Sequence, residues 1–223
     1  MSDSDKTRPP RKPGVLNRDR VLAAAMELAD ADGLGALTMR SLALALGVKP
    51  MSLYHHVRDK EDLLDGMLDL VFGEIELPRT REPWRSEIRR HAVSARTVLA
   101  RHPWALALAG TRTSPGPATL RHHDAVVGTL ANSGFSPPMT ARAYATIDAY
   151  VYGFVLQEAS LPFEDPGGAD VAKSVMAGFD AGRYPHLTAF ATDYLTQEGY
   201  AFGDQFEPGL DLVLDAVGTL VDR

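Results

Sequence analysis

The stretch LTMRSLALALGVKPMSLYHHV, Leu37 to Val57, sets two short apolar-periodic runs on either side of a glycine. Each run opens on the same device. Thr38 stands where an N-cap side chain accepts from first-turn N–H groups, and Leu37 and Leu42 flank it as a hydrophobic staple. Around Lys49, Val48 and Leu53 repeat the staple, and Pro50 takes the first helical position, where its missing N–H costs nothing. The spacing predicts helices over 39–46 and 50–56, with Gly47 in the left-handed conformation that closes a tight turn. Two short helices joined in this way form a helix-turn-helix, whose second helix has the dimensions to enter a major groove.

Working outwards, Asn17 caps an earlier helix, with Leu16 and Val21 as its staple. Val21, Leu22, Ala25, Leu28 and Ala29 follow helical spacing until Gly33 and Gly35. Asp59 caps a later helix running towards Leu77, and Glu61 and Asp62 in its first turn favour the helix dipole. Residues 15–77 therefore read as one small helical domain. Residues 1–14 hold three prolines with Lys6, Arg8, Arg11 and Lys12, and read as a disordered basic arm. A solvated tail and a groove-following arm both fit that composition.

The faces of the second helix bear on its use. At 100° per residue Leu53 and Val57 point the same way and anchor it, while Met51, Ser52, Tyr54 and His55 project. Adjacent His55 and His56 diverge, so they do not share one site. Arg40, near the start of the preceding helix, is placed to reach a base edge, and guanine N7/O6 is its usual partner. Lys60 at the next helix N-terminus suits a phosphate, although the carboxylates beside it weaken that preference. Periodicity alone does not separate a DNA-reading helix from a structural hairpin.

Beyond residue 78 the pattern stays helical, over roughly 84–99, 104–109, 118–132, 138–161, a segment ending near Phe179, 187–196 and 207–221. Residues 165–168 read as a loop and 199–206 as irregular. No strand pattern is present, so the fold class is all-α, with residues 78–223 as a second, larger helical domain. In the long helix Ile147, Tyr150, Val151, Phe154, Val155 and Leu156 spread around most of the circumference. Such a helix has to be covered on both sides, within one monomer or by a second copy.

The net charge of −6 over 223 residues hides an asymmetry: residues 1–60 carry +3 and residues 61–223 carry −9. A small DNA-facing module on an acidic body agrees with that sign change. The absence of cysteine excludes disulfides, thiolate metal sites and cysteine catalysis. No apolar run has membrane-spanning length and no signal-peptide core opens the chain, so a cytoplasmic protein without membrane attachment is expected. His122 and His123 diverge by 100° and lack an acidic or histidine partner three or four residues on, so they read as surface histidines. No nucleophile elbow, phosphate loop or dinucleotide fingerprint is present, and neither an enzyme nor a metal or cofactor is expected.

The strings Leu37-Thr38-Met39-Arg40, Leu42-Ala43, Leu46-Gly47-Val48, Leu53-Tyr54-His55-His56-Val57 and Lys60 with Leu63-Leu64 resemble the DNA-binding domain of the TetR family of bacterial repressors. The match runs from about Asn17 to Leu77. It implies that Thr38, Tyr54, His56 and Lys60 hold phosphates, and that Arg40, Pro50, Met51, Ser52 and His55 face or approach bases. From about Pro83 to Val221, Gly110-Thr111-Arg112, Ser133-Gly134-Phe135-Ser136 and Phe206-Glu207-Pro208-Gly209-Leu210-Asp211 are similar to the tetracycline-repressor branch. That resemblance implies a homodimer on double-stranded palindromic operator DNA, released by a small-molecule effector. The branch holds its drug with magnesium through histidine, glutamine and glutamate positions that fall here on Leu108, Val126 and Gln157. A hard cation needs oxygen ligands, so leucine and valine argue against a magnesium–drug complex. The expected effector is instead largely apolar or aromatic, in a cavity lined by Trp104, Leu108, Thr111, Val126, Leu130, Tyr150, Phe154 and Gln157. A solid core at these positions is the alternative, and a helical small-molecule-binding protein or enzyme without operator binding is the alternative function.

Overall fold

The computed structural model describes residues 15–161, 168–178 and 180–221. The basic arm, part of the loop expected at 165–168 and the helix end expected at Phe179 lie outside the described residues. Among these, regular structure is entirely helical: α1 Arg18–Asp32, α2 Met39–Leu46, α3 Pro50–Leu53, α4 Lys60–Glu74, α5 Trp84–Arg101, α6 Trp104–Ala109, α7 Pro117–Asn132, α8 Pro137–Ala159, α9 Gly168–Met176, α10 Pro185–Phe190 and α11 Phe206–Gly218.

The chain divides into two compact units between Leu63 and Leu64, inside α4. The sequence reading keeps all of α4 with the first domain. The difference has a physical cause, because Met67, Leu68, Val71 and Phe72 are buried in the second unit, with the Phe72 ring 4.7 Å from that of His122 on α7.

In the first unit the caps behave as the sequence implies. Asn17 Oδ1 accepts from Arg20 N at 2.9 Å, and Gly33 ends α1 at φ +76°. Val21, Leu22, Ala25, Leu37, Leu42, Leu53, Val57 and Leu63 form its core. In the second unit α5, α8 and α11 pack on one another and α7 packs on α5 and α8. Ile88, Leu99, Leu130, Val155, Phe206, Leu210 and Leu214 are almost fully buried there. Tyr150 on α8 donates its O–H to the Phe206 carbonyl at 2.7 Å, and Gly209 leaves the space that the phenol fills. Arg96 pairs with Glu158 and lies over the rings of Phe154 and Phe206, at 5.2 and 5.0 Å.

Three element boundaries differ from expectation. The α-helix of α3 stops at Leu53, and Tyr54 to His56 continue as a turn in which His56 N and Val57 N both donate to the Leu53 carbonyl. The segment expected as one helix over 187–196 is α10 running into a π-helical turn, Ala191–Leu195. A 3-10 turn, Phe202–Gln205, leads directly into α11.

Candidate functional site

The first unit carries the helix-turn-helix formed by α2 and α3. Thr38 caps α2 in a capping box: its Oγ1 accepts from Ser41 N at 3.0 Å, and Ser41 Oγ accepts from Thr38 N at 2.9 Å. Gly47 closes the turn at φ +67°, ψ +31°, with Val48 N donating to the Ala43 carbonyl at 3.0 Å. Leu53 and Val57 are then buried beneath α3, which leaves its other face outside. Thr38, Arg40, Pro50, Met51, Tyr54, His55 and Lys60 are exposed, and Ser52 and His56 are half-buried. Met51 is 72% and Tyr54 45% exposed, which is unusual for large side chains held on a rigid turn.

A lock that sequence periodicity does not reveal fixes this surface from behind. Arg18 at the start of α1 grips Asp62 of α4 with two hydrogen bonds of 2.9 and 3.0 Å and donates to the His56 carbonyl at 3.1 Å. Asp62 also accepts from Arg58 N at 2.9 Å, while its own N–H donates to Asp59 Oδ1 at 2.8 Å. The Arg18 guanidinium holds the Asp62 carboxyl down at about 2, with the Arg58 N–H helping and partial burial opposing. The end of the α3 turn, the start of α1 and the start of α4 thus share one carboxylate. The i, i+4 pattern of charges signals only the weaker Arg58–Asp62 pair, since Arg18 lies 44 residues away.

The second unit encloses a cavity of about 370 Å³ bounded by α4, α6, the α6–α7 loop, α7 and α8. Its apolar wall includes Leu68, Phe72 and Leu106; its polar wall includes Asp65, Arg112, Thr119, His123, Asp148 and Tyr152. Arg112 Nε donates to Asp65 Oδ1 at 2.5 Å, tying the α6–α7 loop to α4. Asp69, one turn further along α4, accepts from Thr119 N at 2.8 Å and Thr119 Oγ1 at 3.0 Å, and so caps the N-terminus of α7. Gly116 stands directly against that carboxylate, where a Cβ would collide.

Behind the cavity lies a histidine cluster. His122 is buried, with its ring centroid 4.8 Å from that of His91 and 5.1 Å from that of His123. Burial pushes its pKa down to about 3, and its imidazole neighbours add to the effect. The expectation of a surface histidine is therefore overturned for His122, which Phe72 of α4 and His91 of α5 cover, while His123 is half-buried. His91 donates from Nδ1 to the Glu76 carbonyl at 2.7 Å. His123 Nδ1 is hydrogen-bonded to the Tyr144 hydroxyl, and Asp148 stands one turn further along α8. Burial pushes the Asp148 carboxyl up to about 7, partly offset by Tyr144. Among the described residues no group of three or more His, Asp or Glu side chains is placed to hold a metal ion.

The profile of bacterial regulatory proteins of the tetR family matches residues 21–67, over α1 to the first half of α4, and the profile of the tetracyclin repressor-like C-terminal domain matches residues 77–221. The chain belongs to the TetR family. It is a helix-turn-helix transcriptional regulator. An HTH-type transcriptional regulator of Saccharopolyspora erythraea is 40% identical over 181 residues, covering 81% of this chain and 72% of that protein. The HTH-type transcriptional repressor DrrR1 of Streptomyces coeruleorubidus is 34% identical, covering 96% of this chain and 82% of that protein. Among solved structures, the TetR family protein ActR of Streptomyces coelicolor in complex with actinorhodin superposes with a TM-score of 0.75 at 26% identity, over 92% of this chain and 96% of that one.

Within this TetR fold the structure treats the two expected sites differently. Of the nine residues expected on the head, seven are exposed and Ser52 and His56 are half-buried. The eight residues expected around an effector do not line the cavity between α4, α6, α7 and α8. Trp104, Leu108, Val126 and Leu130 are buried in the helical core. Tyr150 is spent on the Phe206 carbonyl, and Phe154 stacks on Phe202 with centroids 4.8 Å apart. Thr111 bonds back to the Leu108 carbonyl at 3.1 Å, and Gln157 is exposed. The cavity uses neighbouring faces of the same helices: Thr119 and His123 on α7, Asp148 and Tyr152 on α8. Nor is it wholly apolar, because an ion pair and a carboxyl group form one wall.

Proposed function

We propose that the chain is a cytoplasmic homodimeric repressor that binds a palindromic operator and is released when a small molecule fills the α4–α6–α7–α8 cavity. In this reading Arg40, Pro50, Met51, Ser52 and His55 face bases, while Thr38, Tyr54, His56 and Lys60 hold phosphates. The observation that carries it is the rigid outward face of α3, locked by the capping box, Gly47 and Arg18–Asp62. Phosphate contacts set register, and base contacts from the groove-facing set choose sequence. DrrR1 being a repressor supports the direction of control.

The geometry also offers a route for release. The helix α4 begins with Lys60 and is held from the side by Asp65–Arg112 and Asp69–Thr119. A ligand that fits better with those holds shifted would favour an α4 position in which the heads no longer match their half-sites. Only a difference in affinity between the two states drives such a change. ActR with actinorhodin bound supports a small-molecule effector in this fold.

A second copy accounts for what remains uncovered on α8 and α11. Ala145, Ala149 and Leu156 are exposed on α8, Leu212 is 72% exposed on α11, and these two helices pack together. Small residues at four-residue spacing let helices approach closely, which suits a four-helix interface about a twofold axis. No helix among the described residues is long and apolar enough to cross a membrane.

Footprinting the DNA upstream of the chain's own gene tests the reading. A protected palindrome is expected, with Arg40→Ala relaxing specificity at one base pair and Lys60→Ala weakening all sequences alike. A chain that is monomeric by light scattering and protects no DNA would be a helical ligand-binding protein instead.

A further inference from the structure

Of the acidic groups that line the cavity, Asp65 is neutralised by Arg112 at 2.5 Å, whereas no cation among the described residues pairs with Asp148. The group that offsets its burial is the neutral hydroxyl of Tyr144. The nearby imidazole, His123, is kept uncharged by burial and is engaged with the same hydroxyl. His123 and Tyr144 share a hydrogen bond beside Asp148, and neither brings it a positive charge.

A carboxyl group withdrawn from water without a cation is costly for a fold, and the cost falls when a partner of opposite charge arrives. Asp148 and Tyr152 stand one helical turn apart on the same face of α8, and Phe72 contributes an aromatic ring from α4. A carboxylate beside aromatic rings is the arrangement that receives an organic ammonium group, through an ion pair and attraction to the ring faces. An anionic ligand would meet the opposite situation, since Arg112 is already tied to Asp65.

We propose that the cavity takes an aromatic amine in its protonated form, with the ammonium group on Asp148 and the ring system between Phe72, Leu106 and Tyr152. This rests on the reading of the cavity as the effector site, and it replaces a purely apolar ligand by a cationic one.

The test titrates full-length protein at pH 8 with three primary amines, tryptamine, 2-(1-naphthyl)ethylamine and 9-(aminomethyl)anthracene, each beside its neutral N-acetyl derivative. Binding is read by calorimetry, and release of upstream DNA by fluorescence anisotropy in the same buffer. The expected result is at least one amine bound tenfold or more tighter than its N-acetyl form. Asp148→Asn should abolish that preference while leaving the N-acetyl affinity within about twofold. Equal affinities within every pair in the wild-type protein overturn the proposal whatever the variant does, and so does the absence of binding by all three amines. A preference that survives in a folded Asp148→Asn protein overturns it as well. The two readings separate cleanly. An Asp148-dependent amine that leaves DNA bound retains the amine site and removes the effector role, whereas N-acetyl forms that release DNA as well as amines do the reverse.

Discussion

In the helix-turn-helix head the devices that shape the surface are mostly local: Thr38 with Ser41, Gly47 with Ala43, Leu53 with Val57. Around the cavity the equivalent devices join residues 47 and 50 positions apart, in Asp65–Arg112 and Asp69–Thr119. The head is thus held by short-range caps that keep an exposed face rigid. The cavity is held by long-range polar ties between helices that each have another neighbour to pack on. A surface meant to read DNA gains from the first kind of construction, and a wall meant to yield to a ligand gains from the second.

Four substitutions test that contrast, in descending order of expected effect. Asp148→Asn should stabilise the ligand-free protein at pH 8 by about 4 kcal/mol, the equivalent of moving a carboxyl from 3.8 to about 7. The folded-state pKa is raised, so the carboxyl favours folding at low pH and this contribution is lost as pH rises from 3.8 to about 7. Thermal melts should accordingly show the gap between variant and wild type narrowing from pH 8 to pH 5. The charged and titratable groups facing Asp148 there are His123, Tyr144, Tyr152 and the Asp65–Arg112 pair. A gap that widens on acidification would contradict the assignment.

Next, Arg112→Ala leaves Asp65 without its partner and should cost about 3 kcal/mol in chemical denaturation, a loss typical of breaking a shielded pair. Operator binding should persist, while the ligand concentration needed for release changes. Smaller still, Arg18→Ala removes four hydrogen bonds behind the α3 turn and should cost about 2 kcal/mol of head stability together with operator affinity. Hydrogen exchange at His56 and Val57 would report it directly. Last, Thr38→Ala should cost about 1 kcal/mol through loss of the cap, with a measurable drop in operator affinity.

The same contrast explains what was legible beforehand. Caps, staples and a left-handed glycine are written in consecutive residues, so α1, α2, the turn and the start of α3 follow directly from Asn17, Thr38, Gly47 and Pro50. The family resemblance then assigns nine residues to the DNA, of which seven are exposed and Ser52 and His56 half-buried. The Arg18–Asp62 lock escaped because nothing in either local sequence marks a pairing across 44 residues. For the cavity, the resemblance pointed to α6, α7 and α8, whereas α4 forms a wall as well and neighbouring faces of those helices line it. Tyr150 and Phe154 are apolar enough for either role, and it is Gly209 and the Phe206 carbonyl that commit Tyr150 to the core. His122 looks like a surface residue until Phe72 and His91 close over it.

The central claim is that the α3 face binds double-stranded DNA. It is tested most directly by anisotropy of the labelled upstream DNA, titrated with protein from 50 to 300 mM salt. The account predicts nanomolar-range binding whose logarithm falls linearly with the logarithm of salt concentration, with a slope steeper than about −3, as displacement of counterions from several phosphates requires. No binding at low salt, or an affinity indifferent to salt, would contradict it.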